Sequence, residues 1–267
     1  MNNINFTPTN TCYKYDGSFY GMLSCIFESF SKKELPIEIT TFDRATLFTV
    51  KIIETNENWA KRILDSIPLK INALALENIK LAYLTDYEHK ELGVLHFLIS
   101  GYKYGKNFIQ TIRSVPNPEK IFTAGVLDNP HISGMQKAID LLTLEAHRFV
   151  MFVRFSQVNG ALVSIIEPQN NILPLLVDHF TQRFRNEQFL IYDKTHSLGL
   201  LYLNKKPTIE HIENFEMPDL DEHEKQYQKL WQIFFNSVAI KERINPRCQN
   251  NFLPKKYRNN MTEFMNL

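Results

Sequence analysis

Between positions 241 and 258 the chain carries six cations, Lys241, Arg243, Arg247, Lys255, Lys256 and Arg258, with Phe252 and Tyr257 among them. Cations displace the counterions of a phosphate backbone and aromatic rings stack on bases, so this segment has the composition of a nucleic-acid contact. The plainer alternative is a solvated segment that pairs with an acidic run upstream. That run, 208–224, holds Glu210, Glu213, Glu216, Asp219, Asp221, Glu222 and Glu224 and no Lys or Arg. Tyr102, Lys103, Tyr104 and Lys106 repeat the aromatic and basic mixture, but on a helix they point in different directions, and Gly101 with Gly105 marks a close helix contact. Glu145, His147 and Arg148 include an imidazole able to move protons near neutral pH. Against that stands a structural histidine beside an i,i+3 ion pair of Glu145 with Arg148. Asp178 and His179 are sequence neighbours, about 100° apart on a helix, which keeps them from acting as one dyad.

Other chemistries lack their patterns. No HExxH or CxxC spacing occurs and the eight histidines are scattered, so no metal is expected. The nine glycines form neither GxGxxG nor GxxxxGKS, and no nucleotide triphosphate or other cofactor is implied. A formal charge of +1, from 30 basic and 29 acidic side chains, removes any global attraction to nucleic acid or membrane and leaves only local patches. Cys12, Cys25 and Cys248 are odd in number and far apart, which fits a reducing, cytoplasmic setting. The first ten residues lack a basic start and an apolar run, so no signal peptide is expected. The most apolar stretch, 92–102, is about half the roughly 20 residues a membrane span requires and reads as core helix.

Such side chains must be positioned by a scaffold, and the pattern predicts an α+β protein, mainly helical with small antiparallel sheets. Residues 11–15 alternate as a strand does, and Asp16-Gly17-Ser18 offers a turn and an N-cap before an apolar helix from Phe19. A second strand is expected over 45–53, beside the first, followed by helices over 57–66, 71–85 and 89–112, the first two parted by Pro68. Prolines 116, 118 and 130 make 115–130 the best linker. From 131 a long apolar-faced helix runs into 151–166, where Asn159-Gly160 between two β-rich runs is a strong hairpin signal. A helix over 171–185, with Pro174 in its first turn, and strands at 189–193 and 198–204 complete an α-β-β-α-β-β unit. A helix begins near Asp221, and the prolines at 246 and 254 make the last stretch extended or loop-like. The expected division is 1–130 as an N-terminal strand-helix and helical region, 131–240 as a central α+β domain with its following helix, and 241–267 as a basic tail.

Several stretches together resemble a bacterial family of uncharacterised proteins described as DNA-metabolism proteins, whose central domain is classed as of unknown function. They are YDGSFYGMLSCIFE at 15–28, EAHRFVMFVRF at 145–155, IEPQNNILPLLVDHFTQRF at 166–184, IYDK at 191–194, and LWQIFF to INPRCQNNFLPKKY over 230–257. The resemblance implies a partner, a radical-SAM protein of DNA modification or repair, and longer relatives carry a fused uracil-DNA glycosylase domain. This sequence has neither glycosylase motifs nor a CxxxCxxC cluster site, so the chemistry would be the partner's. Carried over, the resemblance points to Tyr15, Asp16, Gly17, Glu145, His147, Arg148, Arg154, Phe155, Glu167, Pro168, His179, Phe180, Arg183, Phe184 and Asp193, with no roles assigned. Arg148, Arg154 and Arg183 would form a cationic surface suited to phosphate, unless Glu145, Glu167 and Asp178 neutralise them. Three readings follow: a DNA-repair accessory protein that binds nucleic acid and docks on a radical-SAM enzyme; an enzyme on nucleic acid or nucleotides using Glu145, His147, Glu167 or His179 as acid or base; and a protein-interaction module, which an exposed apolar patch would favour.

Overall fold

The computed structural model describes residues 5–112 and 119–265, and the chain divides into two compact units, 1–141 and 142–267. In chain order the elements of the first are β1 (Thr7–Pro8), β2 (Thr11–Tyr15), α1 (Phe19–Lys32), β3 (Glu34–Leu35), β4 (Glu38–Thr41), β5 (Thr49–Ile52), α2 (Glu57–Lys70), α3 (Ala73–Leu84), α4 (Lys90–Tyr104), β6 (Ile109–Ile112) and β7 (Glu119–Phe122). The helix α5 (Pro130–Phe152) contains the division between the units. Beyond it lie β8 (Ser156–Val158), β9 (Ala161–Ile166), α6 (Leu173–Arg183), β10 (Phe189–Asp193), β11 (Leu198–Leu203), β12 (Lys206–His211), α7 (Glu222–Val238) and α8 (Pro246–Phe252).

The α+β class holds, and the pairing departs from the antiparallel expectation in three places. In the first unit the short β1 and β3 pair in parallel, and β2 lies between β4 and β5 and pairs in parallel with both. In the second, the order β12-β11-β10-β9-β8 is antiparallel except for β9 with β10, which run parallel. Each exception has a helix in the connection, α1 between β2 and β4 and α6 between β9 and β10, and a helical crossover returns the chain in the same direction. The hairpin at Asn159-Gly160 forms as the pattern predicts: both residues have positive φ, 50° and 82°, as a type I′ turn demands, and Val158 pairs with Ala161. The sequence reading missed β12. Asn204 and Lys205, at φ 52° and 62°, turn the chain into it without the Asn-Gly signature.

Local signals set most element ends. Ser18 accepts from the Gly21 N–H at 2.9 Å and caps α1. Asn129 takes the N–H groups of His131 and Ile132 and starts α5, so that end of the expected linker 115–130 is a helix cap; its positions 115–118 lie outside the described residues. Two expected boundaries move. Pro68 does not end α2, which continues to Lys70. The proline falls in the last turn, where one hydrogen bond is lost at a cost of about 3 kcal/mol, while Ile67 and Ile71, both fully buried, each contribute about 2 kcal/mol. The helix expected over 89–112 stops at Tyr104, because Gly105 turns to φ 63° and the buried Phe108 and Ile109 lead into β6. Among the described residues no helix is long and apolar enough to cross a membrane.

The first unit buries Tyr13, Tyr15, Met22, Leu23, Leu95 and Phe97 in one apolar cluster. Tyr15 donates to the buried Glu91 carboxylate at 2.8 Å, and burial raises that carboxyl above its usual range. Asp16 accepts from Ser18 and from Thr55, and Tyr83 donates to the Gly17 carbonyl, which fixes the turn between β2 and α1. His96 and His131 stack with centroids 4.5 Å apart. Burial first, then the neighbouring His131, pushes the His96 imidazole down to about 4 from an ordinary 6.5. A folded-state pKa below the unfolded one gives stability that is complete above pH 6.5 and lost as the pH falls toward 4, on the order of 3 kcal/mol. Urea unfolding followed through Trp59 fluorescence, with Trp231→Phe as background, is expected to show that loss, and His96→Phe, which keeps the stack, is expected to flatten it.

Candidate functional site

Two buried carboxylates organise the second unit. Glu145, on α5, accepts from the backbone N–H of Gln169 at 3.1 Å, from that of Asn170 at 3.0 Å and from Asn170 Nδ2 at 2.7 Å. Lys256 Nζ approaches from solvent at 3.4 Å. The expected pair of Glu145 with Arg148 does not form, because the carboxylate is taken by the loop that follows β9. Arg148 instead holds its guanidinium 5.8 Å from the centre of the Tyr257 ring, a cation–π contact. Tyr257 is buried against Phe149 and Phe152, with centroids at 5.1 and 5.4 Å.

The second carboxylate is Glu263, only 4% exposed. Arg154 Nη2 donates to it at 2.8 Å and Nε at 3.3 Å, and Trp231 Nε1 donates at 3.3 Å. Burial by itself would raise this carboxyl, but the Arg154 hydrogen bonds and charge, a backbone N–H and Trp231 together hold it below the usual carboxylate range. Arg154 lies two residues past the end of α5 and also donates to the carbonyls of Met151 and Val153, where a cation suits the end of the helix dipole. Neither Glu167 nor Asp178 pairs with it, and its neutralising partner is one the sequence reading did not consider.

Next to this pair opens a cleft of about 870 Å³, lined among others by Arg154, Phe155, His179, Arg183, Tyr227 and Trp231. Its floor belongs to an aromatic cluster: Phe155 meets Phe180 and Phe184 edge to face, at 5.5 and 5.0 Å. His179 Nε2 is buried and has no hydrogen-bond partner among the described residues. Arg183, one turn further along α6, is exposed, lies 5.6 Å from the Phe184 ring centre, and has no ion pair among the described residues. Glu224 also lines the cleft, with its carboxylate accepting from Gln228. The arrangement offers stacking surfaces for a planar group, one unneutralised guanidinium for an anion, and an orphan imidazole nitrogen for a directional hydrogen bond.

Of the expected arginine surface, then, Arg154 and Arg183 share one cleft and Arg148 stands elsewhere. The acid–base candidates are not gathered: no two of Glu145, His147, Glu167 and His179 are hydrogen-bonded to each other, and His147 and Glu167 are exposed. Asp193, fully buried, accepts from His196 Nδ1 at 2.7 Å and from two backbone N–H groups, closing the turn between β10 and β11. The basic segment is less extended than expected. Asn245 caps α8 by accepting from Cys248 N, with Pro246 at its first position, and burial of Tyr257 ties down the next turn. Arg243, Arg247 and Lys255 are exposed, and Arg258 donates to Asn250 and the Leu253 carbonyl. No ion pair joins this segment to the acidic run 208–224 among the described residues, and Lys241 lies in the short turn Lys241–Arg243. Among the described residues no cluster of His, Cys, Asp and Glu could hold a metal ion. The sequence reading missed Tyr227, Trp231 and Glu263; an aromatic in a helix otherwise read as apolar was the available signal for the first two.

A family model described as a domain of unknown function, DUF4130, matches residues 105–263. No curated protein and no solved structure matches the chain. If Glu145 is the tie that this geometry makes it, Glu145→Ala will leave the Asn170 and Gln169 donors without a buried acceptor. That substitution is expected to destabilise the 142–267 unit by about 2–4 kcal/mol in urea unfolding read through Trp231 fluorescence, with Trp59→Phe as background.

Proposed function

The chain belongs to the DUF4130 family of unknown function, and from that premise we propose that it is a nucleic-acid-handling accessory protein whose second unit seats a single-stranded segment in the Arg183 cleft. The observation that carries this reading is the grouping of Phe155, Tyr227 and Trp231 with an unneutralised Arg183 around one open cleft. Every base has a face that stacks on an aromatic ring, so such a cleft takes strand without reading sequence. The association with DNA metabolism, and a radical-SAM enzyme as the protein that would do the chemistry, rest on the resemblance of the stretches at 15–28, 145–155, 166–184 and 230–257.

Charge supports weak binding. Of the cations singled out in the sequence, Arg154 is committed to Glu263, Lys256 leans on Glu145, Arg148 faces Tyr257 and Arg258 bonds Asn250, while Arg183, Arg243, Arg247 and Lys255 are exposed. If all four met phosphate on a single strand, the log–log salt slope would be about −3. The enzymatic alternative loses Glu145 to its structural bonds and would rest on His179.

Fluorescence anisotropy with labelled single- and double-stranded oligonucleotides over a salt series tests the proposal. The expected result is preference for single strands, a slope no steeper than about −3, and a five- to tenfold loss of affinity in Arg183→Ala and in Tyr227→Ala, as loss of one stacking or phosphate contact implies. Absence of binding at low salt, or wild-type affinity in both variants, would sink it.

A further inference from the structure

The helix α7 sits on its own unit by its polar side. Gln228, 5% exposed, donates to Ser156 Oγ and to Glu224, and Gln232 donates to the carbonyls of Thr262 and Met265. The apolar side faces away: Leu230 is 60% exposed, Phe234 55% and Val238 57%. With Tyr227 and Trp231 these residues recur at three-to-four spacing and fall within one arc of about 100°. Ile240 and Ile244, also exposed, continue the apolar surface beyond the helix. An amphipathic helix normally buries this stripe, and a contiguous apolar patch of this kind marks an interface.

We propose that α7 is a self-association surface, on which a second copy of this chain packs its own α7 antiparallel about a two-fold axis near Phe234. The sequence supplies the complementarity that chooses this occupant. The N-terminal end of the stripe carries Asp219, Asp221, Glu222 and Glu224, and the segment beyond its C-terminal end carries Arg243 and Arg247, both exposed and without an ion pair among the described residues. Glu222 already pairs with Lys225, but the acidic end and the basic segment form no ion pair with each other among the described residues, and in a two-fold antiparallel pair each acidic end meets the other copy's basic segment, so the two are paired twice between chains. About that axis Leu230 faces Val238, and Phe234 meets its counterpart, which closes the stripe on itself. Leu230, Phe234 and Val238 do not line the Arg183 cleft, whereas Tyr227 and Trp231 border both surfaces, so the variants are placed at Phe234 and at the charged ends.

Sedimentation velocity of the full chain at micromolar concentration and low salt tests it. The wild type is expected to sediment as a dimer, and Phe234→Glu, with unchanged circular dichroism, as a monomer. A variant carrying Asp221→Arg and Glu224→Arg, and another carrying Arg243→Glu and Arg247→Glu, should each dimerise at least fivefold more weakly than wild type. Mixed one to one, the two should regain a dimer, because each then meets opposite charge at both ends. A wild type that stays monomeric, a dimer that survives Phe234→Glu, or a mixture no more associated than its parts would overturn the proposal. In the monomeric case Trp231 emission, with Trp59→Phe as background, identifies the true occupant: shielded from quencher, the face is covered within the chain; open to quencher, it awaits a different protein.

Discussion

A carboxylate taken out of water must accept as many hydrogen bonds as it gave up, or its burial costs several kcal/mol. Glu145 meets that demand with three donors from Gln169 and Asn170 and with the Lys256 ammonium at its edge. Those donors come from the loop between β9 and α6, and so one side chain on α5 fixes where α6 starts. The position of α6 in turn sets His179 and Arg183, which stand on it one turn apart. The same anchor holds the 255–257 turn, since Lys256 reaches Glu145 while the adjacent Tyr257 is buried against Phe149 and Phe152 of α5. Glu145 was a candidate base in the sequence, and its surroundings make it the tie of the unit instead.

Legibility in the sequence followed the range of the interaction. Signals that act over two to four residues were readable: Ser18 as a cap, Asn159-Gly160 as a type I′ turn, and Pro174 in the first turn of α6. Effects settled by tertiary packing were not. Pro68 lies inside α2 because Ile67 and Ile71 are buried, and β9 runs parallel to β10 because α6 returns the chain. For the site, Arg154, Arg183 and His179 were singled out as residues, but their partners were not. Glu263 lies 109 positions from Arg154, and no spacing rule links them.

The partner of Arg154 decides what the cleft can be. Three arginines on one surface would make an electrostatic site with steep salt dependence. With Arg148 on Tyr257 and Arg154 on Glu263, one guanidinium remains, and the balance shifts from charge to aromatic surface. Arg154 then acts as a positioning residue. Through Glu263 it orients the Trp231 indole, which accounts for a buried ion pair beside an otherwise aromatic wall. A well-packed apolar pair would stabilise the fold at least as much, whereas the ionic one fixes a direction.

The inverted seating of α7 follows from the same preference. Gln228 and Gln232 reach Ser156 and the backbone carbonyls of Thr262 and Met265, acceptors that an apolar helix face would leave unsatisfied at about 1–3 kcal/mol each. Turning the helix to satisfy them leaves Leu230, Phe234 and Val238 outside. A fully exposed apolar side chain forgoes about 2 kcal/mol of burial. Leu230, Phe234 and Val238 are 55–60% exposed, so about half of that is forgone at each, about 3 kcal/mol in all, which the satisfied acceptors offset. The polar side therefore decides which way the helix turns, and the apolar side, with acidic residues at one end and basic residues beyond the other, is what the helix has left to offer a partner.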